Sequence, residues 1–172
     1  MGGIGLFLVF VAATILLLLP RVVGPQAPAL AAQKIADFRV PKGFRETDGR
    51  DLLALSWVEL TPTDPNKSMI IVLRGFSFVT DAHKTEESYE LWALRAVAPN
   101  CMRMKALSDD VVPARGTYAY LRRELCFFRD GLSTETEFGS FPGRAAVSTI
   151  FASGPADSWD PTPIYALLGS VR

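Results

Sequence analysis

The sequence predicts an α+β fold, in which an antiparallel β-sheet is flanked by two amphipathic helices and preceded by one N-terminal transmembrane helix. Three observations lead to this prediction. The first twenty residues carry no charged side chain, several later segments are rich in β-branched and aromatic residues, and two segments repeat apolar residues at helical spacing. Strands joined by hairpin-length connections favour antiparallel pairing, with the helices packed against the sheet.

The opening segment, MGGIGLFLVFVAATILLLLP, predicts a transmembrane anchor over residues 1–23. Twenty helical residues span roughly 30 Å, which matches the hydrocarbon core of a bilayer. A cleaved secretory signal is the alternative, with a candidate cleavage site at Ala29–Ala31. That site lies far beyond the apolar run, and no Lys or Arg precedes the run, so we favour a retained anchor in the lipid bilayer.

Residues 24–36 are rich in Pro and Ala, which predicts a linker, and residues 37–172 then form the extramembrane domain. Arg21 follows the span and weakly favours a cytoplasmic domain by the positive-inside rule. A cysteine pair described below favours an oxidising compartment instead. We therefore predict a bacterial inner-membrane protein whose domain lies on the periplasmic side.

The first half of the domain predicts two strands and a helix. Residues 51–60 and 68–77 are rich in branched and aromatic side chains, and the turn formers TPTDPNK separate them. Within residues 83–100, apolar side chains recur at helical spacing and Pro99 ends the pattern. This segment is predicted to be an amphipathic helix that lies against the sheet.

The second half predicts more strands and a closing helix. Strands are expected within residues 101–110, 117–128 and 143–154, with a shorter one at 135–141. The segment SDDVVPARG, residues 108–116, is predicted to be the loop between the first two. Near the C-terminus, Asp160 is a good helix N-cap, Pro161 fits the first helical position, and apolar residues follow at helical spacing.

Cys101 and Cys126 are the only cysteines, and they are predicted to form a disulfide. If the loop at 108–116 joins antiparallel strands, residues near position 101 face residues near 123. A β-bulge or a small slip in register would then bring Cys126 opposite Cys101. Two buried free thiols that behave as small hydrophobic side chains are the alternative.

No catalytic, cofactor-binding or metal site is predicted. His83 is the only histidine and precedes a Glu-rich helix, so a surface role is favoured over catalysis. The carboxylate pairs Glu86/Glu87 and Asp109/Asp110 are interpreted as solvated charge, because adjacent helical residues do not face each other and the second pair falls in a turn. The chain has 18 basic and 18 acidic side chains, which argues against a nucleic-acid partner.

Two aromatic pairs are candidate docking residues. Phe76 and Phe78 alternate in one predicted strand, as do Tyr118 and Tyr120 in another, so each pair shares one strand face. Whichever pair is exposed would mark a surface for a protein partner.

Three short motifs resemble the PsbP-like group of small extracytoplasmic α/β domains. They are VPKGF at 40–44, a GRAA strand at 143–146 and the closing helix IYALLGSVR at 164–172. The resemblance implies an accessory subunit that steadies a larger membrane machine, as at photosystem II, rather than an enzyme. The membrane anchor and the cysteine pair depart from the pattern of the group, and no site residue carries over.

The sequence therefore predicts a non-catalytic, membrane-anchored accessory or assembly subunit. Its expected partners are the subunits of an integral membrane complex, most naturally a respiratory or photosynthetic electron-transfer complex. A module that binds a lipid or small solute between sheet and helices is the alternative. A hydrolase with a non-standard site is the third reading, which a strongly perturbed carboxylate in a pocket would favour.

Overall fold

A seven-stranded antiparallel sheet dominates the computed structural model, which describes residues 24, 26–86, 88–89 and 101–172. Its strands are β1 (Phe44–Asp51), β2 (Leu55–Pro62), β3 (Ile70–Phe76), β4 (Arg103–Ala114), β5 (Thr117–Phe127), β6 (Ser133–Phe141) and β7 (Val147–Pro155). Helix α1 (Ala27–Ile35) precedes the sheet, and helix α2 (Thr162–Gly169) follows it after a 3₁₀ turn at Ala156–Ser158.

The strand order is β1-β2-β3-β7-β6-β5-β4, so two meanders build the sheet. The first contains β1 to β3 and the second contains β4 to β7, and short turns connect the strands within each meander. The two meanders meet where β3 pairs with β7 at the centre of the sheet. Consequently β1 and β4 are the two edge strands.

Both helices cover the same face of the sheet, which we call the core face. One hydrophobic cluster contains buried residues of α1, of α2 and of all strands except β1. Its largest aliphatic side chains are Ile35, Leu60, Ile71, Leu73, Leu121, Ile150, Ile164, Leu167 and Leu168. Alternate strand residues supply this cluster, as expected for a sheet with one buried face. The helices contribute apolar residues spaced three and four apart.

The opposite face carries a smaller cluster, in which Tyr89 packs with Phe138 and Phe151. Residues 82–86 and 88–89 are helical and bring Tyr89 to the sheet. They form the start of the helix predicted within residues 83–100. The remainder of that prediction, at residue 87 and residues 90–100, lies outside the described residues.

Helix α1 occupies residues that the sequence assigned to a linker. Its buried side chains are mostly alanine (Ala27, Ala31 and Ala32, with Ile35), so the helix axis approaches β1, β2 and β3 closely. At Gly49 a Cβ atom would lie 2.7 Å from the Cα of Pro28, so this approach requires glycine. The Pro/Ala composition is typical of a tether, but small side chains also suit a helix packed tightly on a sheet.

The predicted fold class is wrong as a whole. The described chain is mainly a seven-stranded sheet, and it is not a sheet flanked by two amphipathic helices behind a membrane anchor.

No helix in the described part of the chain is both long and apolar enough to cross a membrane. The predicted anchor at 1–23 lies outside the described residues. This finding contradicts the predicted inner-membrane location. The disulfide described below indicates an oxidising compartment.

Several element boundaries also differ from the prediction. Strand β1 was missed because its sequence, FRETDGRD, is almost entirely polar. The predicted loop at 108–116 is instead the end of β4 and a two-residue turn, in which Arg115 and Gly116 have φ angles of 46° and 73°. The GRAA segment is a bend before β7 and not part of the strand.

The strand at 135–141 is confirmed by β6, and the closing helix by α2. Helix α2 has Pro161 at its N-cap position, one residue later than predicted. Asp160 still satisfies a backbone donor at the start of the helix, because its Oδ1 accepts a hydrogen bond from the N–H of Thr162 at 3.0 Å. Hydrogen bonds from the side chain and from the backbone N–H of Thr162 lower the pKa of Asp160 below its usual value.

Candidate functional site

One row of side chains across the core face changes from apolar to charged. The register aligns Leu60, Ile71, Ala152, Glu137 and Arg123 on five neighbouring strands. The first three belong to the hydrophobic core, whereas Glu137 on β6 is a carboxylate with only 1% of its surface exposed. A potentially charged group therefore lies where the pattern of the sheet calls for an apolar one.

The carboxyl group of Glu137 is held in an unfavourable environment for its charge. Among the described side chains, only the Tyr165 hydroxyl is placed to donate a hydrogen bond to it, and that hydroxyl also donates to Asp110. Burial raises the pKa of Glu137 to about 7, and the negative charges of Asp110 and Glu135 add to this rise. The nearby Tyr165 hydroxyl and the Arg123 guanidinium act in the opposite direction. We call Asp110, Arg123, Glu135, Glu137 and Tyr165 the acid–tyrosine cluster.

Asp110 on β4 connects this cluster to helix α2. Its Oδ2 atom accepts hydrogen bonds from the hydroxyls of Ser108 and Tyr165, both at 3.1 Å. Arg123 Nε lies 4.0 Å from the same oxygen. All of these contacts converge on Oδ2, and within the described residues no group donates to Oδ1. One carboxylate oxygen of a half-buried aspartate is thus left available.

Arg123 on β5 is the one cation that the described structure places within this cluster. Its Nε donates to the Ser108 hydroxyl at 3.2 Å, and its Nη1 lies 3.9 Å from Glu135 Oε2. One guanidinium therefore faces three carboxyl groups. Burial and the neighbouring carboxylates raise the pKa of Tyr165 above its ordinary value, so its hydroxyl stays protonated and remains a donor.

A surface cavity of about 420 Å³ opens beside the cluster, between β4 and α2. Its lining residues are Asp110, Val111, Val112, Pro113, Tyr165 and Gly169. Asp110 and Tyr165 are the two members of the acid–tyrosine cluster that line the cavity. Within the described ranges, no three His, Cys, Asp or Glu side chains are grouped so that they could hold a metal ion.

The disulfide prediction is confirmed. Cys101 and Cys126 are bonded, with their Cα atoms 5.6 Å apart. The register of β4 and β5 shifts between Ala106 and Ser108, which is the kind of irregularity needed to bring Cys126 near the start of β4. The disulfide therefore joins the open end of the β4–β5 hairpin.

Tyr118 and Tyr120 lie on the face of the β4–β5 hairpin that points away from the core. Tyr118 pairs with Pro113 and Tyr120 with Val111, so the four side chains are neighbours, and we call them the tyrosine face. Val111, Tyr118 and Tyr120 are 57%, 56% and 66% exposed. Arg122 and Asp109 form an ion pair at 3.5 Å immediately next to them.

The other predicted aromatic pair does not form a shared surface on a strand. Phe76 is the last residue of β3 and is half-buried, whereas Phe78 follows the strand and is 78% exposed. Phe76 instead helps to line a second cavity of about 380 Å³, together with Arg74, Asp81 and Tyr89. His83 is exposed near this cavity but does not line it.

Sequence reasoning missed the acid–tyrosine cluster. Glu135 and Glu137 were read only as part of a short strand, and Tyr165 only as an aromatic side chain of the final helix. A usable signal existed, because two Glu residues at alternate positions must share one face of a strand. Asp109 and Asp110 were assigned to a turn. In β4 they point to opposite faces, and only Asp110 reaches the cluster.

Comparisons with known proteins do not identify a family for this chain. No protein-family model matches the chain, and a search of curated proteins finds no relative. The resemblance to the PsbP-like group therefore stays a prediction.

Proposed function

We propose that this chain is a non-catalytic accessory subunit that docks on a protein partner through its tyrosine face. The observation that carries the proposal is the contiguous exposure of Val111, Pro113, Tyr118 and Tyr120 on one hairpin. Tyrosine is enriched at the centres of protein interfaces, because it buries a large apolar ring and keeps a hydroxyl for a hydrogen bond. Isolated exposed apolar residues are ordinary, whereas a contiguous group of them is not.

The backbone of this surface is firmly held. The hairpin is closed at its tip by a two-residue turn and braced at its open end by the disulfide. Strand β5 also pairs with β6, so the tyrosine face belongs to the main sheet. A preorganised surface loses little conformational entropy on binding, which favours a stable rather than a transient partner.

The composition of the surface indicates the chemistry of the partner. The two tyrosine hydroxyls and the Arg122–Asp109 ion pair are polar groups that a pure hydrocarbon surface would leave without hydrogen bonds. A protein surface with an apolar centre and polar rim satisfies both parts. Under the resemblance to the PsbP-like group, the host would be a larger membrane complex, with an electron-transfer complex the most natural one.

Affinity purification from the source organism tests the proposal, with reconstitution from purified components as the second step. The tagged wild-type chain should retain a partner at fixed stoichiometry, and the Tyr118→Ser/Tyr120→Ser double variant should lose it. Losing two central tyrosines should weaken the reconstituted pair by about 100-fold or more.

Leu53→Ser is the matched control, because Leu53 is an exposed apolar residue at the β1–β2 turn, outside the tyrosine face. It should leave the affinity unchanged. If the double variant and the wild type bind the same partner equally well, the tyrosine face is not the docking surface. A wild-type chain that purifies only as a free monomer from native material would contradict the accessory role itself.

A further inference from the structure

We propose that the cavity between β4 and α2 binds a small organic ammonium ion, held by the carboxylate of Asp110 and the hydroxyl of Tyr165. This goes beyond docking, since neither Tyr118 nor Tyr120 lines the cavity, although Val111 and Pro113 border both surfaces. The sequence analysis named solute binding as an alternative function, and this proposal specifies the binding site and the class of ligand.

The available oxygen of Asp110 is the first step of the argument. Its Oδ2 atom already receives the Ser108 and Tyr165 hydroxyls. Its Oδ1 atom receives no donor from the described chain, and Asp110 forms part of the cavity wall. A ligand that donates a hydrogen bond at this point would complete the coordination of the carboxylate. A charged donor forms the stronger bond.

The charge balance of the cluster then selects a cation. Asp110, Glu135 and Glu137 face one guanidinium, that of Arg123, so acceptors and negative charge are in excess. Glu137 shows this excess most clearly, because it is almost fully buried and the one described hydroxyl placed to donate to it, that of Tyr165, also donates to Asp110. The described residues contain no group of three or more His, Cys, Asp or Glu side chains that could hold a metal ion.

Val111, Val112 and Pro113 also line the cavity, along the edge strand. Val112 is the one of these that faces the core, because the side chains of Val111 and Pro113 belong to the tyrosine face. An alkyl group attached to the ammonium would contact the apolar part of this wall and leave water. The volume of about 420 Å³ is at the lower end of the range for ligand pockets, so the ligand is small.

Glu137 couples ligand binding to protonation. The groups that face it are Asp110 on β4, Arg123 on β5, Glu135 on its own strand and Tyr165 on α2, and the adjoining residue of β7 is Ala152. Part of the rise in its pKa comes from the charge of Asp110. An ammonium ion at Asp110 offsets that charge and lowers the pKa of Glu137. Near pH 7, binding therefore releases a fraction of a proton from Glu137.

Titration of the ¹⁵N-labelled full chain with n-butylammonium, followed by two-dimensional NMR at pH 7, tests the proposal. Saturable shifts should appear at the amides of Asp110, Tyr165 and Gly169. Butanol and butyrate, which have the same chain length without the positive charge, should bind at least about tenfold more weakly. Calorimetry in phosphate and in Tris, whose ionisation enthalpies differ, should show proton release.

Two variants separate the roles of the carboxyl groups. Asp110→Asn should weaken n-butylammonium binding about tenfold or more, because the charge-assisted hydrogen bond is lost. Glu137→Gln should abolish the proton release while some binding remains. Asp157→Asn is the matched control, since Asp157 is an exposed carboxylate in the 3₁₀ turn outside the cavity. It should change neither quantity.

Three results would overturn the proposal. They are the absence of saturable shifts at the cavity residues of the wild type, equal binding of butanol, and proton release that persists in Glu137→Gln. The wild-type shift map decides the question even if Asp110→Asn fails to fold. Because Tyr118 and Tyr120 lie outside the cavity, the docking variants should bind n-butylammonium normally, so the two proposals fail separately.

Discussion

The hydroxyl of Tyr165 donates a hydrogen bond to Asp110 Oδ2 at 3.1 Å, which joins the C-terminal helix to an edge strand 55 positions earlier in the sequence. Tyr165 packs against the hydrophobic core while its hydroxyl reaches the acid–tyrosine cluster. The same residue therefore helps to attach α2 and to arrange the wall of the cavity.

Tyr165→Phe should lower the free energy of unfolding by about 1–2 kcal/mol, because a hydrogen bond to a charged acceptor is lost while the ring is kept. Urea denaturation at pH 7 measures this change. Tyr118→Phe is the matched control, since Tyr118 is exposed and its hydroxyl makes no hydrogen bond within the described structure. It should alter stability by less than about 0.5 kcal/mol. Equal effects of the two variants would show that the Tyr165–Asp110 bond contributes nothing.

Stability should fall as the pH rises from 5 to 8. Folding raises the pKa of Glu137 from 4.5 to about 7, so the folded state binds this proton more tightly than the unfolded chain. The stabilisation is complete below the unfolded pKa and is lost as the pH passes through the folded one. The loss should amount to roughly 3 kcal/mol or somewhat less, because solvent at the neighbouring cavity screens the charge.

Urea denaturation of the wild type and of Glu137→Gln across this pH range measures the effect. The neutral variant should show a much flatter profile, whereas the exposed-site variant Asp157→Asn should follow the wild type. A Glu137→Gln profile as steep as that of the wild type would assign the pH dependence to other groups.

Loss of the disulfide should destabilise the domain by about 3–4 kcal/mol, because the bond closes a loop across a sequence separation of 25. Cys126→Ser should cost more than Cys101→Ser, since Cys126 is buried and its replacement hydroxyl would need a partner. Thermal unfolding of both variants and of the reduced wild type provides the comparison. Alkylation of two thiols in fresh, unreduced native protein would show that the bond is absent in the cell.

The Lys34–Asp51 pair should matter more than exposed ion pairs. Lys34 Nζ lies 2.8 Å from Asp51 Oδ1, and the Asp51 side chain is 4% exposed and also accepts from Ser56. Lys34→Gln should cost about 1–3 kcal/mol, because it leaves a buried carboxylate without its cation. Arg122→Gln, at the exposed pair with Asp109, should cost less than about 1 kcal/mol. Chemical denaturation decides the order, and a reversed order would contradict the prediction.

The sequence predicted those strands and helices whose buried residues form a recognisable apolar pattern within a single segment. The apolar run around Ile71 and Leu73 indicated a central strand, and helical spacing of Ile164, Leu167 and Leu168 indicated the closing helix. Strand β1 could not be found this way, because most of its side chains are polar and its formation depends on pairing with β2.

The acid–tyrosine cluster could not be predicted from patterns within single segments of the sequence either. Its members lie on β4, β5, β6 and α2, and only the register of three strand pairs brings them together. The disulfide was predictable because both cysteines belong to one hairpin, where sequence spacing nearly fixes the distance. The full extent of β4 was missed because Asp109, Asp110 and Pro113 resemble turn residues.

The meeting of β3 with β7 has a consequence for how this chain folds. Each meander contains only contacts between strands that are adjacent in sequence, so each can form rapidly and separately. The pairing of β3 with β7 must close the long intervening chain, which makes it the slow step. The disulfide joins two positions at the β4–β5 hairpin, so its formation requires no residue of the first meander. The first meander carries α1 as its own cover, so the common core is complete only when the two meanders are joined.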